Sequence, residues 1–365
     1  MTRIALVSML IFSLSVTSDD AKAQAAENLI IVTLDGLRWQ ELFRGIDQEL
    51  MASRAAGVKR DADHALMKRL WDDDPKIRRA RLFPYFWRQL AGEGILYGNR
   101  DLGSEVSVTN NVLKSLAGYA EILTGQALDS VIKSNAPVEM PVPTILEMLK
   151  PKWNLQREDV ALFASWARFH HVAARDASQI VLNAGYDVLE GFPENEKILS
   201  LNRRQFEQLT PWTEVRHDYI TCELALEYMR MKRPRILYLG LGETDDWAHD
   251  RRYPRVAWAA SYSDTCLQDL MALVESSAHY RGKTLLVITT DHGRGRTKAD
   301  WSEHKKKVPG SDEIWVYLRG PGVSARGEVK GGQKVEQRDI VPSVLKLLGQ
   351  PTDLIPGSSG RPVLP

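Results

Sequence analysis

The sequence predicts an α/β fold, a three-layer α/β/α sandwich around a largely parallel central sheet. Three observations carry that prediction. Apolar runs without polar alternation recur at 28–34, 160–164, 236–240 and 284–290, which suits strands buried on both faces. Helical patterns fall between them, at 84–91, 143–149, 219–231 and 256–274, so strand and helix alternate as in βαβ units. The 365-residue length allows one large domain, or two smaller ones, with a full core.

Taken in order, the chain opens with Arg3 and an apolar run at 4–16 (IALVSMLIFSLSV). That run is shorter than the roughly 20 residues a bilayer span needs. A polar stretch then ends in Ala23-Gln24-Ala25, a small-x-small cleavage pattern. Residues 1–25 therefore read as a secretory signal peptide. The expectation is an exported, periplasmic or secreted, domain over 26–365 with no transmembrane segment of its own. An uncleaved membrane anchor is the alternative.

The run 28–34 (NLIIVTL) gives the first strand. Residues 47–81 are dense in charge, and 165–215 mix aromatics with Arg and Asn. Both stretches look like insertions, candidates for cap elements over the sheet, with solvated surface helices as the plainer reading. The segment 314–318 (IWVYL) predicts a further strand. A helix over 339–348 is stopped by Gly349 and Pro351.

A net charge of +1 and 44% hydrophobic residues give no reason to expect a nucleic-acid partner or an anionic membrane surface. Cys222 and Cys266 are the two cysteines. They match no metal or redox motif; a disulfide and a pair of free buried thiols are both open.

In open α/β sheets, ligands bind beyond the carboxyl ends of the strands. Asp35 follows the first run, Asp245 the run at 236–240, and Asp291-His292 the run at 284–290. Each alone has a bland reading. Asp35 could cap a helix, and Asp245 and His249, four apart, could be a surface ion pair. His304 could be a surface His among lysines. Converging on one edge, three Asp and three His fit the oxygen and nitrogen ligand set of zinc or a similar ion, manganese included. Ser115 opens a helical stretch ending in Gly125. It is an N-cap in the structural reading. In the chemical one it is a hydroxyl set where a helix N-terminus welcomes phosphate.

These blocks, in this order, resemble the alkaline phosphatase superfamily, most closely its nucleotide pyrophosphatase/phosphodiesterase-like branch. They are LDG at 34–36, the Ser115 helix ending in TG, ETDDWAH at 243–249, DHG at 291–293 and WSEH at 301–304, with QRDIVPSVLKLLG at 337–349 similar to the closing helix. The resemblance implies two divalent ions, zinc first, one held by Asp35, Asp291, His292 and Ser115, the other by Asp245, His249 and His304. It implies Ser115 as nucleophile, Asn135 as a ligand of a phosphoryl oxygen, and a small phosphate monoester or diester as substrate, hydrolysed through a phosphoseryl intermediate. Formylglycine sulfatase chemistry needs Pro and Arg after the nucleophile, and Ser115-Leu-Ala-Gly-Tyr has neither. A phosphoryl or phosphoalcohol transferase and a non-catalytic metal-stabilised binding protein are the rivals. Arg294, Arg296 and Lys298 could add positive charge, with a solvated basic loop as the alternative. Trp247 and Trp301 could stack on a leaving group or belong to the core.

Overall fold

The computed structural model describes residues 25–365, so the segment read as a signal peptide lies outside the described residues except at Ala25. The strands are, in chain order, β1 (Asn28–Leu34), β2 (Ile95–Tyr97), β3 (Val106–Ser107), β4 (Val160–Ala164), β5 (Val181–Ala184), β6 (Ile236–Leu241), β7 (Thr284–Thr289), β8 (Glu313–Ile314), β9 (Val316–Arg319), β10 (Gly327–Glu328) and β11 (Val335–Glu336). Eight form one sheet in the order β10-β2-β9-β7-β1-β6-β4-β5, and β11-β3-β8 form a small second sheet. The pairs β7-β1, β1-β6, β6-β4 and β4-β5 are parallel, and β9 runs antiparallel to both its neighbours.

The unbroken apolar run of β1 has its reason in the layers. Ile30, Val32 and Leu34 enter one core, while Leu29 and Ile31 enter the other on the opposite face. Each such side chain contributes roughly 1.5–3 kcal/mol by leaving water. The helices Asp218–Lys232 and Tyr253–Ser276 cover the first face; Ser115–Thr124, Ile145–Lys152 and Ile340–Leu347 cover the second. This is the expected three-layer sandwich.

Two details depart from the sequence reading. The IWVYL run is two strands, broken at Trp315. Ile314 pairs with Val106 in the small sheet, whereas Val316 pairs with Thr289 in the large one. Trp315 bridges them: its indole N–H donates to Leu37 O (3.0 Å) and its carbonyl accepts from Thr289 Oγ1 (2.6 Å). The segment 165–215 supplies the outer strand β5 and the helix Glu196–Glu207. Residues 47–81 form short helices whose Leu50, Met67 and Leu70 join the first core layer.

The cysteines form a disulfide, Cys222–Cys266, with Cα atoms 6.2 Å apart. It ties the Asp218–Lys232 helix to the Tyr253–Ser276 helix. Asp218 adds a buried knot in the same place, accepting from Ser165 Oγ (2.6 Å), Gly242 N–H (2.8 Å) and Glu243 N–H (3.1 Å). The sheet ends on the two-residue β10 at one margin and the four-residue β5 at the other. Among the described residues no helix is long and apolar enough to cross a membrane.

Candidate functional site

Strands β7, β1 and β6 are adjacent and parallel, so their carboxyl ends open on one edge. Asp35 stands just beyond β1 and Asp291-His292 just beyond β7, while Asp245 lies in the first turn of the helix Glu243–His249 after β6. Ligand atoms converge there in two groups within 4.8 Å, Asp35/Asp291/His292 and Asp245/His292/His304. His292 Nε2 is common to both, 3.5 Å from Asp35 Oδ1, 3.3 Å from Asp291 Oδ2 and 3.7 Å from Asp245 Oδ1.

Backbone contacts aim these side chains. His292 Nδ1 lies 3.0 Å from Gly293 O, and His304 Nδ1 2.9 Å from Leu113 O. Donation to those carbonyls places the proton on Nδ1 and turns each Nε2 lone pair into the site, the outer-shell arrangement of a ligating imidazole. Tyr119 donates to Asp35 Oδ2 (2.8 Å), Gly36 N–H to Asp291 Oδ1 (3.0 Å), and Gln337 Nε2 to Asp291 O (2.9 Å). Asp35 Oδ1 and Asp291 Oδ2 remain buried with no hydrogen-bond partner. Orphaned carboxylate oxygens are costly to bury, and with two imidazole lone pairs they make a donor set that fits a divalent cation.

The electrostatics point the same way. Burial, with Asp291 and Asp245 close by, pushes the Asp35 carboxyl well above the usual range. Burial and Asp245 push Asp291 up to about 7. Burial lowers His292 to about 4 and holds His304 well below its ordinary value. Burial also opposes ionisation of Asp245, yet Arg294 and His249 hold its carboxyl well below the carboxylate range. The edge thus gathers acids that repel one another and imidazoles kept neutral, a site short of positive charge.

Ser115 is the first residue of its helix, not the cap; Lys114 holds that position. Freed from capping, the Ser115 hydroxyl lies 3.2 Å from His292 Nε2. Asn135 stands at the same helix end, its Oδ1 accepting from Leu116 N–H (3.1 Å). Leu113, just upstream, adopts φ 52°, a conformation few non-glycine residues take, and it presents the carbonyl that His304 meets. His249 sits at the rim. Its side chain is 43% exposed, with Nε2 3.1 Å from Asp245 Oδ2 and 3.0 Å from His304 Nε2.

Arg294 is the residue the sequence undersold. It is buried, donates to Ser302 O (2.6 Å) and Asp245 O (2.9 Å), and forms an ion pair with the Asp245 carboxylate. Arg296 is exposed and pairs with Glu313 instead. Trp301 packs edge-on against Tyr253 in the core. Trp247 is half-buried on the far face of its helix. Tyr119 and Gln337 lay inside recognised helical blocks without a signal for their polar roles.

No protein-family profile matches the chain, and no curated protein sequence is significantly similar to it. Solved structures do match. A putative sulfatase from Bacteroides thetaiotaomicron superposes with a TM-score of 0.61 at 13% identity, over 93% of this chain and 74% of its own. The alkaline phosphatase PafA gives 0.57 at 10% identity, over 93% of this chain and 98% of its own. The lipoteichoic acid synthase LtaP from Listeria monocytogenes gives 0.52 at 15% identity, over 89% and 72%. At such identities the likeness concerns architecture, and the chain has the alkaline phosphatase-like fold.

Proposed function

We propose that this chain is an exported, metal-dependent hydrolase of phosphate esters with Ser115 as nucleophile, nearest in its sequence blocks to the nucleotide pyrophosphatase/phosphodiesterase-like branch. One observation carries the reading: the Ser115 hydroxyl and the partnerless oxygens of Asp35 and Asp291 meet around one buried nitrogen, His292 Nε2. Asp35, Asp291, His292 and Ser115 would hold one divalent ion, and Asp245, His249 and His304 a second, with zinc suited to the three imidazoles. Bound there, such ions supply charge neutralisation to the entering and departing oxygens and ease deprotonation of a hydroxyl.

This chain's own residues do the rest. Ser115 Oγ forms a bond to phosphorus as the bond to the leaving alkoxide breaks, and the hydroxyl proton is lost to solvent. Water then attacks the phosphoseryl ester in line and restores Ser115. Asn135, whose Oδ1 accepts from Leu116 N–H at the Ser115 helix end, would donate through Nδ2 to a non-bridging phosphoryl oxygen. Tyr119 fixes the Asp35 carboxylate, and Arg294 anchors Asp245, so the acids need not reorganise as charge moves. Export is supported by the N-terminal pattern and by the disulfide, which persists in oxidising compartments.

The test is a panel of aryl phosphate, aryl phosphodiester, aryl phosphonate and aryl sulfate on the purified, metal-analysed chain. Metal-dependent turnover of a phosphorus ester is expected, and none of the sulfate. Ser115→Ala should abolish turnover while the bound metal stays; near-wild-type rates in that variant would falsify the nucleophile assignment.

A further inference from the structure

The helix Glu243–His249 has two faces with different neighbours. Asp245 and His249 turn to the acidic edge. Glu243 and Trp247, also four apart, turn the other way, onto a cavity of about 250 Å³. Trp247, Trp258, Tyr219 and Tyr262 wall it. Trp247 is braced edge-on by Trp212, with ring centres 4.6 Å apart, so its orientation is set. Trp258 is 57% exposed, a large apolar face left in water at a cost.

Arg255 enters among these rings, its guanidinium 5.8 Å from the Trp247 ring centre. Its Nε is buried without a hydrogen-bond partner, and no carboxylate among the described residues pairs with it. Glu243, the acid of the cavity, is already engaged. Its Oε1 lies 3.0 Å from His217 Nδ1 and accepts from Trp247 Nε1 (3.2 Å), and its Oε2 accepts from Asp218 N–H (3.0 Å). A guanidinium left without an anion in a partly desolvated aromatic pocket is matched by an oxyanion brought from outside. Polar groups complete the rim. Gln208 accepts from the Tyr219 hydroxyl through Oε1, which leaves its amide N–H groups free, and His217 Nε2 faces away from Glu243. Flat aromatic faces, one unpaired cation and spare hydrogen-bonding groups suit a hydroxylated ring that carries a negative charge.

We propose that this cavity binds an acidic sugar ring, stacked on Trp247 and Trp258 with its carboxylate on Arg255. The site is distinct from the Ser115 centre, and its binding readout does not depend on turnover.

The full chain is titrated with methyl β-D-glucuronide, methyl β-D-glucoside and benzoate, followed by tryptophan fluorescence and calorimetry. The glucuronide should saturate and bind at least tenfold tighter than either the neutral glycoside or the aryl acid. Arg255→Met keeps the side-chain stem and should reduce glucuronide affinity to that of the glucoside. Trp258→Ala, at an exposed position, should weaken both glycosides fivefold or more. Metal content and melting temperature serve as folding controls and should match the wild type in both variants. No saturable binding of the glucuronide, equal binding of the glucoside or benzoate, or unchanged affinity in Arg255→Met would each overturn the proposal.

Discussion

At position 118 there is no room for a side chain. A Cβ there would stand 2.3 Å from the Asp291 carbonyl oxygen, so the helix carrying Ser115 lies directly on the turn carrying Asp291 and His292. Gly118→Ala should force the two apart, lowering turnover on the order of a hundredfold, the scale of a 1 Å misplacement, and reducing metal content. Full activity with full metal occupancy would refute that account. Gly36 serves a like purpose, with φ +56° and a Cβ that would sit 2.5 Å from Asp245 Oδ1. The sequence made both positions visible as parts of ordered blocks, while the reason for glycine is steric and visible only in space. Arg294 shows the limit of that legibility. Arg294 and Arg296 are two apart in one basic stretch, yet one is buried against Asp245 and the other, exposed, reaches in to the buried Glu313. Nothing in the order of residues separates them. Ser115 was readable as a helix start, but whether its hydroxyl capped that helix or faced His292 rested on a single residue of register.

Among the elements, the doubly buried strands were the most legible. Runs at 28–34, 160–164, 236–240 and 284–290 correspond to β1, β4, β6 and β7 within a residue, because a strand covered on both faces has no polar alternation to obscure it. The short β2 and β5 gave no such run, and neither did the break of IWVYL at Trp315. Helix ends were harder still, since some caps come from far along the chain. The helix Pro84–Arg88 is capped by Asp264, whose carboxylate accepts from Tyr85 N–H (2.7 Å) and Phe86 N–H (2.8 Å). Burial pushes Asp264 up from 3.8 to about 6, against the pull of those two N–H groups. The folded state therefore holds the proton more tightly than the unfolded chain, and this carboxyl subtracts stability as pH rises from about 4 to about 6. Asp264→Asn removes the charge but keeps one of the two acceptor oxygens, its NH2 facing the other backbone N–H. Because only the wild type gains stability on acidification, the variant should fall further below it in urea unfolding at pH 4 than at pH 8. Asp264→Ala, which orphans both N–H groups, should cost about 1–3 kcal/mol at either pH. A pH-independent difference between Asn and wild type would contradict the buried-charge explanation.

At the scale of the whole molecule, the order of strands and helices was enough for the layers, since alternation and un-alternated apolar runs leave few other topologies. The bond between Cys222 and Cys266 was not readable, because two cysteines with no motif are equally compatible with free thiols. It closes a loop of 44 residues that contains β6 and the helix bearing Asp245 and His249. A loop of that length corresponds to about 4 kcal/mol in the chain-entropy account. Replacing both cysteines with Ala, or adding reductant, should lower unfolding stability by about 2–4 kcal/mol, measured in urea. A loss under 1 kcal/mol would mean that Asp218 and the packed helices already restrain this unit without the covalent tie.

The brevity of the outer strands bears on how copies of this chain meet one another. A long open strand is a template on which a second chain can add a strand of its own, and repeated addition builds a fibril. Here the template is cut down at both ends. The Glu328 carboxylate of β10 is gripped by Arg79 (2.9 and 2.7 Å) and Asn99 (2.6 Å). At the last residue of β5, the Ala184 N–H is taken by Asp187 (2.9 Å). A neighbouring chain therefore meets only short stretches of edge backbone on which to add a strand.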